Sequence, residues 1–187
     1  MNKLPPTQLD LVLIGGGHSH VHVLKMLGMP EYRKWAIANG VQVTLIARDL
    51  HTPYSGMLPG FVAGHYTLDE IHLDLVKLCR FGNTRLIHAS AQEITYNEST
   101  RGGGMIYCSD GRPPIRYDAL SIDVGITPST QGMTPSTLDS IIPVKPIASF
   151  CQYYEALRNS LVNKYNSNNN IQIHSSTPKK QIGRAHV

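Results

Sequence analysis

Apolar positions fall into short runs and helical stripes that alternate along the first half of the chain. Leu9-Asp10-Leu11-Val12-Leu13-Ile14 runs into three glycines, and both of its faces carry apolar residues. That pattern predicts a buried parallel strand. Over residues 18–27, Val21, Leu24 and Leu27 recur at helical spacing with Val23 beside them, and Gly28 is placed to close the helix. Residues 30–38 predict a further helical turn or two before the turn signal Asn39-Gly40. Residues 41–46, Val-Gln-Val-Thr-Leu-Ile, are rich in β-branched side chains and predict the second strand.

The next stretch breaks this rhythm. Residues 49–66 contain Pro53, Gly56, Pro59, Gly60 and Gly64, which predicts an irregular loop of functional length. Residues 67–79 predict one helix, with Thr67 and Glu70 as a capping box and Leu68, Ile71, Leu75 and Leu78 as its stripe. Residues 85–96 predict one or two strands. Residues 105–109 and 115–117 predict a hairpin or meander turning at Asp110-Gly111, and residues 119–124 another buried strand ending at Gly125. A Ser/Thr/Pro-rich connector (127–140) leads to a helix over 149–164 and a polar, asparagine-rich linker from residue 166. The final Ile182-Gly183-Arg184-Ala185-His186-Val187 matches the translation of a common sequencing adaptor. It is set aside from the fold, with a truncated gene as the expectation and a natural tail as the alternative.

Composition narrows the function classes. The 187 residues, 41% hydrophobic and 16% charged, suit a packed globular domain and not a disordered chain. A net charge of +4 with scattered Lys and Arg gives no basic stripe, so no nucleic-acid partner is expected. No apolar run reaches the length of a membrane helix, so no transmembrane segment is expected. The three cysteines are far apart, form no metal-ligand pair and predict free thiols. The first ten residues resemble neither a secretory leader nor a transit peptide. The expected location is therefore the cytoplasm or an organelle interior.

The candidate chemistry sits at Gly15-Gly16-Gly17, where the first strand meets the first helix. A tight turn there needs a residue without Cβ at Gly15, and Gly17 allows the backbone to approach a pyrophosphate. The N–H groups that open the helix, with its positive dipole end, receive the phosphate charge. The pattern is Gly15-x-Gly17-x-x-His20, with histidine in the place of the usual third glycine. That histidine must point away or widen the helix–strand contact. Arg48 and Asp49 follow the second strand, where an acid is expected to hold an adenosine ribose. Asp49 could take that role, or Arg48 could meet adenine or a phosphate, or the two could be an ordinary solvated pair.

Residues 49–60 (Asp-Leu-His-Thr-Pro-Tyr-Ser-Gly-Met-Leu-Pro-Gly), followed by Gly64-His65-Tyr66, resemble the FAD-binding half of pyridine nucleotide-disulfide oxidoreductase-like proteins. The group most similar is the NADH-dehydrogenase-like flavoproteins, including those fused to selenide, water dikinase. Gly15 to Val21 resembles that group's glycine turn, and residues 117–128 resemble the superfamily strand YDxLxIATGxxP, with Asp123 and Val124 in the Ala-Thr positions. The resemblance spans roughly residues 9–161. It implies an α/β, Rossmann-like FAD/NAD(P)-binding domain with a parallel sheet, helices and a small β-meander in three ββα layers. It further implies an FAD-binding domain over 1–165, with 166–187 as linker and tail, and FAD as cofactor. The cofactor set it implies is Gly15, Gly16, Gly17, His18 and Ser19 at the pyrophosphate, and Arg48 or Asp49 with Ala91 at the adenosine. Tyr54, Ser55, Gly56 and Met57 would lie near the flavin or ribityl chain, with Gly125 and Thr127 returning to the cofactor. Lys145-Pro146 resembles the segment that precedes the family's second domain.

The implied activity is FAD-dependent electron transfer from NAD(P)H, the donor in the complete protein, to a small-molecule acceptor such as a quinone. The second glycine turn that grips NAD(P)H is absent from this sequence, and so is a redox CxxC pair. No catalytic acid or base is assigned, and the oligomeric state is left open. A carboxylate at Asp123, near the flavin or its phosphates, would need hydrogen bonds to be tolerated. Two other readings remain. One is a nucleotide-binding fragment without activity. The other is a metal hydrolase using His18, His20 and His22, although on a helix these step by roughly 200° and cannot converge on one ion. Solvent-facing positions at the helix start are the expectation for these histidines, and no metal is assigned.

Overall fold

The computed structural model describes residues 7, 9–97, 103–125, 129, 131–132, 134 and 141–169. Strand β1 (Leu9–Ile14) leads into helices α1 (His18–Gly28) and α2 (Pro30–Ala38), then strands β2 (Val41–Ala47) and β3 (His51–Pro53). A 3-10 turn (Ser55–Met57), helix α3 (Leu58–Val62), strand β4 (His72–Asp74) and helix α4 (Leu75–Phe81) follow. Strands β5 (Arg85–His88), β6 (Ala91–Tyr96), β7 (Gly104–Cys108), β8 (Ile115–Tyr117) and β9 (Ala119–Ile122) precede a long helix, α5 (Ile147–Asn169).

Strands β5, β2, β1 and β9 form a parallel sheet in that order, with Leu11 of β1 beside Val43 and Ala119. Alternation along β1 divides its side chains between two cores. Leu13 packs with Val43, Leu45 and Ala47 against Leu24, Leu75 and Cys79 of α1 and α4. Val12 and Ile14 pack with Ile46 and Ile87 against Ile106, Cys108, Ile115 and Tyr117 of the antiparallel β6-β7-β8 meander. Helices, parallel sheet and meander thus make the three layers expected of an α/β, Rossmann-like domain. A third core joins Leu58 and Phe61 of α3 to Ile71 and Cys151.

The expected helix over residues 67–79 is divided. The Thr67–Glu70 capping box does form, with the Thr67 N–H donating to the Glu70 carboxylate at 2.8 Å. It closes only a turn, because residues 72–74 instead pair with β3, His72 opposite Pro53. The helix restarts at Leu75 under a new cap, the Asp74 carboxylate, which accepts the Lys77 N–H at 3.0 Å. Part of the region expected to be irregular, 49–66, is therefore ordered as β3, the 3-10 turn and α3. Helix α5 runs through residues 166–169, where the polar composition predicts a linker. Asparagine costs a helix less than about 1 kcal/mol per residue relative to alanine, so polar composition alone does not end it there. Strand β9 is partly exposed, not buried, because β1 is its only partner among the described strands. Most of the connector 127–140, and residues 170–187, lie outside the described residues. No described helix is long and apolar enough to cross a membrane.

Candidate functional site

Strand β1 delivers the chain to the carboxyl edge of the sheet, where α/β proteins place their ligands. Gly15 turns the chain there with φ +95°, a conformation that glycine adopts without steric cost. Its N–H continues the ladder to the Ile46 carbonyl at 2.8 Å, and the Gly17 N–H reaches the Asp123 carbonyl at 3.2 Å. A Cβ on Gly15 would sit 2.2 Å from the Asp123 carbonyl oxygen, and one on Gly17 would sit 2.2 Å from the Asp123 carboxylate. The end of β9 therefore lies directly on the glycine turn, and side chains at these positions would push the two apart.

The Asp123 carboxylate accepts the N–H groups of Ser19 at 2.8 Å and His20 at 3.4 Å. A carboxylate at the first turn of a helix satisfies unpaired donors and meets the positive end of the dipole. This supplies the hydrogen bonds that an acid in this strand requires. The N–H groups of Gly16 and His18 have no hydrogen-bond partner among the described residues. They are the donors left at the turn for a ligand.

His20 departs from the solvent-facing position expected of the three histidines. It is only 1% exposed, its Nδ1 lies 2.7 Å from the Gly15 carbonyl oxygen, and its Nε2 lies 2.9 Å from the Ser121 hydroxyl. A carbonyl can only accept, so Nδ1 carries the hydrogen in this contact. The ring fills the gap between α1 and the sheet that a third glycine would otherwise close. His18 and His22 are exposed, and the described residues contain no group of three metal-ligating side chains.

The turn opens on a cleft of about 710 Å³. Gly15, Gly16, Gly17 and His18 form one wall, and Arg48 and Asp49 stand past the end of β2. Ser55, Ala91 and Gly125 line it as well. Four other residues of the expected set stand apart from this lining. Ser19 is held by Asp123, and Tyr54 packs its ring on His18 with centroids 4.5 Å apart. Gly56 lies beneath the Tyr54 ring, and Met57 packs on the third core. Thr127 lies outside the described residues.

Arg48 and Asp49 pair with each other at 3.0 Å, both largely exposed, so the acid past β2 stands two residues beyond the strand and already holds a cation. The lining carries two cations, Arg48 and Lys145, and two carboxylates, Asp49 and Asp123, so its formal charges cancel with the histidines counted as neutral. Attraction for an anion must come from backbone N–H groups at the turn. The sequence does not reveal His51, Leu75 and Ser90 as lining residues. The β3–β4 pairing brings His51 there, and Leu75 lies where a Cβ on Gly16 would touch it at 2.5 Å.

No protein-family model matches the sequence, and no curated protein sequence matches it. Similar solved structures include the sulfide:quinone oxidoreductase of the hyperthermophilic bacterium Aquifex aeolicus, at 19% identity over 66% of this chain and 26% of that one, with TM-score 0.47. A putidaredoxin reductase in covalent complex with putidaredoxin is similar at 19% identity over 69% of this chain and 28% of that one, TM-score 0.48. The water-forming NADH oxidase of Lactobacillus brevis gives 14% identity over 65% and 27%, TM-score 0.43. The chain spans about a quarter of the length of each. By its own strand order, layers and glycine turn, it is an α/β protein of Rossmann-like architecture.

Proposed function

We propose that this chain is the FAD-binding part of a flavoprotein oxidoreductase that passes electrons from NAD(P)H to a small acceptor. The observation that carries the reading is the glycine turn at the carboxyl end of β1, with the N–H groups of Gly16 and His18, unpartnered among the described residues, beside the cleft. The chemistry of that cradle suits a diphosphate, because backbone donors hold phosphate oxygens without a cationic side chain. The cleft volume lies within the range of small-molecule sites.

In this reading Gly16 and His18 hold the diphosphate, Asp49 or Arg48 orients the adenosine beside Ala91, and Ser55 and Gly125 flank the flavin end. Tyr54 supports the His18 ring. The sequence motif of residues 49–60 directs the choice of nucleotide to FAD. Bound FAD would supply acceptance of two electrons from reduced nicotinamide and their release to an acceptor. The protein's part is to place the cofactor and limit water around it. The domain covers residues 1–165, and the nicotinamide would be held by sequence beyond this chain. A quinone is the acceptor class favoured by the sequence resemblance.

The test is the absorption spectrum of the purified full chain before and after incubation with FAD and gel filtration. Co-eluting flavin in a one-to-one ratio supports the reading, and a colourless chain after incubation contradicts it. Reduction of the co-eluted flavin by NADH, followed by reoxidation with a soluble quinone, separates an active module from one that only binds.

A further inference from the structure

We infer that His20 is a positioning residue that aims the Gly16 N–H at the ligand. The inference rests on the flavin-site reading above for its purpose, and on geometry alone for its mechanism. The peptide between Gly15 and Gly16 is planar and trans, so its C=O and N–H point in opposite directions. The Gly15 carbonyl is held at 2.7 Å by the buried Nδ1 of His20, on the side facing α1 and β9. The Gly16 N–H is thereby directed the other way, and Gly16 lines the cleft. A glycine pair otherwise leaves this peptide free to flip, because neither residue has a Cβ to oppose rotation.

The lock is itself held at its far end. Ser121 of β9 lies 2.9 Å from Nε2, and β9 pairs in parallel with β1. With Nδ1 donating to a carbonyl, the Ser121 hydroxyl donates to Nε2 in the neutral ring. Gly15 is fixed on both sides, its N–H by Ile46 and its C=O by His20. A third glycine would give close packing at this position but no hydrogen bond to the turn. The histidine thus supplies orientation in a site where Asp123 already occupies the Ser19 and His20 N–H groups.

Two measurements on the full chain test the inference. The first is the ring nitrogen spectrum of the wild-type protein. The lock requires His20 to carry hydrogen on Nδ1, and a ring with hydrogen on Nε2 alone overturns it whether or not flavin binds. The second compares FAD affinity in His20→Asn and His20→Phe. Asparagine can place its amide N–H where Nδ1 stands, whereas phenylalanine fills the space without a donor. His20→Asn is expected to bind within about threefold of wild type, and His20→Phe at least about tenfold more weakly. Equal loss in both variants, or no loss in either, overturns the positioning role. If wild type binds no FAD, the flavin reading fails. The lock is then still decided by the tautomer and by Gly16 amide exchange, which must be fast in wild type and His20→Asn.

Discussion

The Asp123 carboxylate accepts the Ser19 N–H at 2.8 Å, joining the end of one strand to the start of a helix 104 residues earlier. The contact places a negative group where an incoming diphosphate would seek the same helix dipole. Charge and hydrogen bonding at this point can be separated by substitution. Asp123→Asn keeps an acceptor and removes the charge. It is expected to lower stability by less than about 1 kcal/mol and to tighten ADP and FAD binding severalfold. Thermal unfolding with and without ADP measures both effects. Weaker ADP binding by the variant would show that the carboxylate does not compete.

Gly15 and Gly17 should fail in different ways. Gly15→Ala forces an L side chain into φ +95° and against a backbone oxygen 2.2 Å away, neither of which can relax. A loss of at least about 2 kcal/mol is expected in denaturant unfolding. Gly17 has an ordinary φ of −69°, and the atoms nearest its added methyl belong to the side-chain carboxylate of Asp123. Gly17→Ala should cost about 1 kcal/mol, and a double variant with Asp123→Ala should recover at least about 0.5 kcal/mol of that cost. Additive losses would mean that the two residues do not meet.

The three cysteines should be silent in the folded protein. Burial pushes the Cys79 thiol up to about 11 and moves Cys108 and Cys151 upward too. The thiolate is the reactive form, so an aromatic disulfide reagent at about pH 8 should label none of them rapidly. Unfolding should release all three. Rapid labelling of the native chain would contradict the buried placement and reopen a thiol-based mechanism.

Two acids predict how stability falls in acid. The Thr67 backbone N–H, then its hydroxyl, holds the Glu70 carboxyl below its ordinary 4.5. The Lys77 backbone N–H holds Asp74 below 3.8 in the same way. A carboxyl depressed in the folded state contributes stability above its unfolded value and loses it as pH falls through the folded one. Wild type should therefore unfold at a higher temperature than Glu70→Gln or Asp74→Asn at about pH 7, and the gap should narrow as pH falls below about 4. A gap independent of pH would assign the effect to packing instead.

The local elements were legible because their signals are local. The apolar run of β1, the stripe of α1 and the β-branched run of β2 each follow from neighbouring residues. The break at His72–Asp74 was not legible, because its cause is pairing with His51–Pro53 across the glycine-rich segment. Leu75 and Leu78 fit the predicted stripe although a strand interrupts it, so periodicity alone could not show the division. The site was legible as a glycine turn, and its wiring was not. The hydroxyl at Ser121 and the carboxylate at Asp123 reach His20 and Ser19 from over a hundred residues away. A histidine in a glycine position signals that something must differ there, but not which atoms it bonds.

The most direct test of the diphosphate site is a titration of the isotopically labelled full chain with FAD, followed at each backbone amide. Saturation at one FAD per chain, with the largest shifts at Gly16 and His18, is the predicted result. Saturable binding that leaves those two amides unmoved, or no saturation at all, would contradict the account.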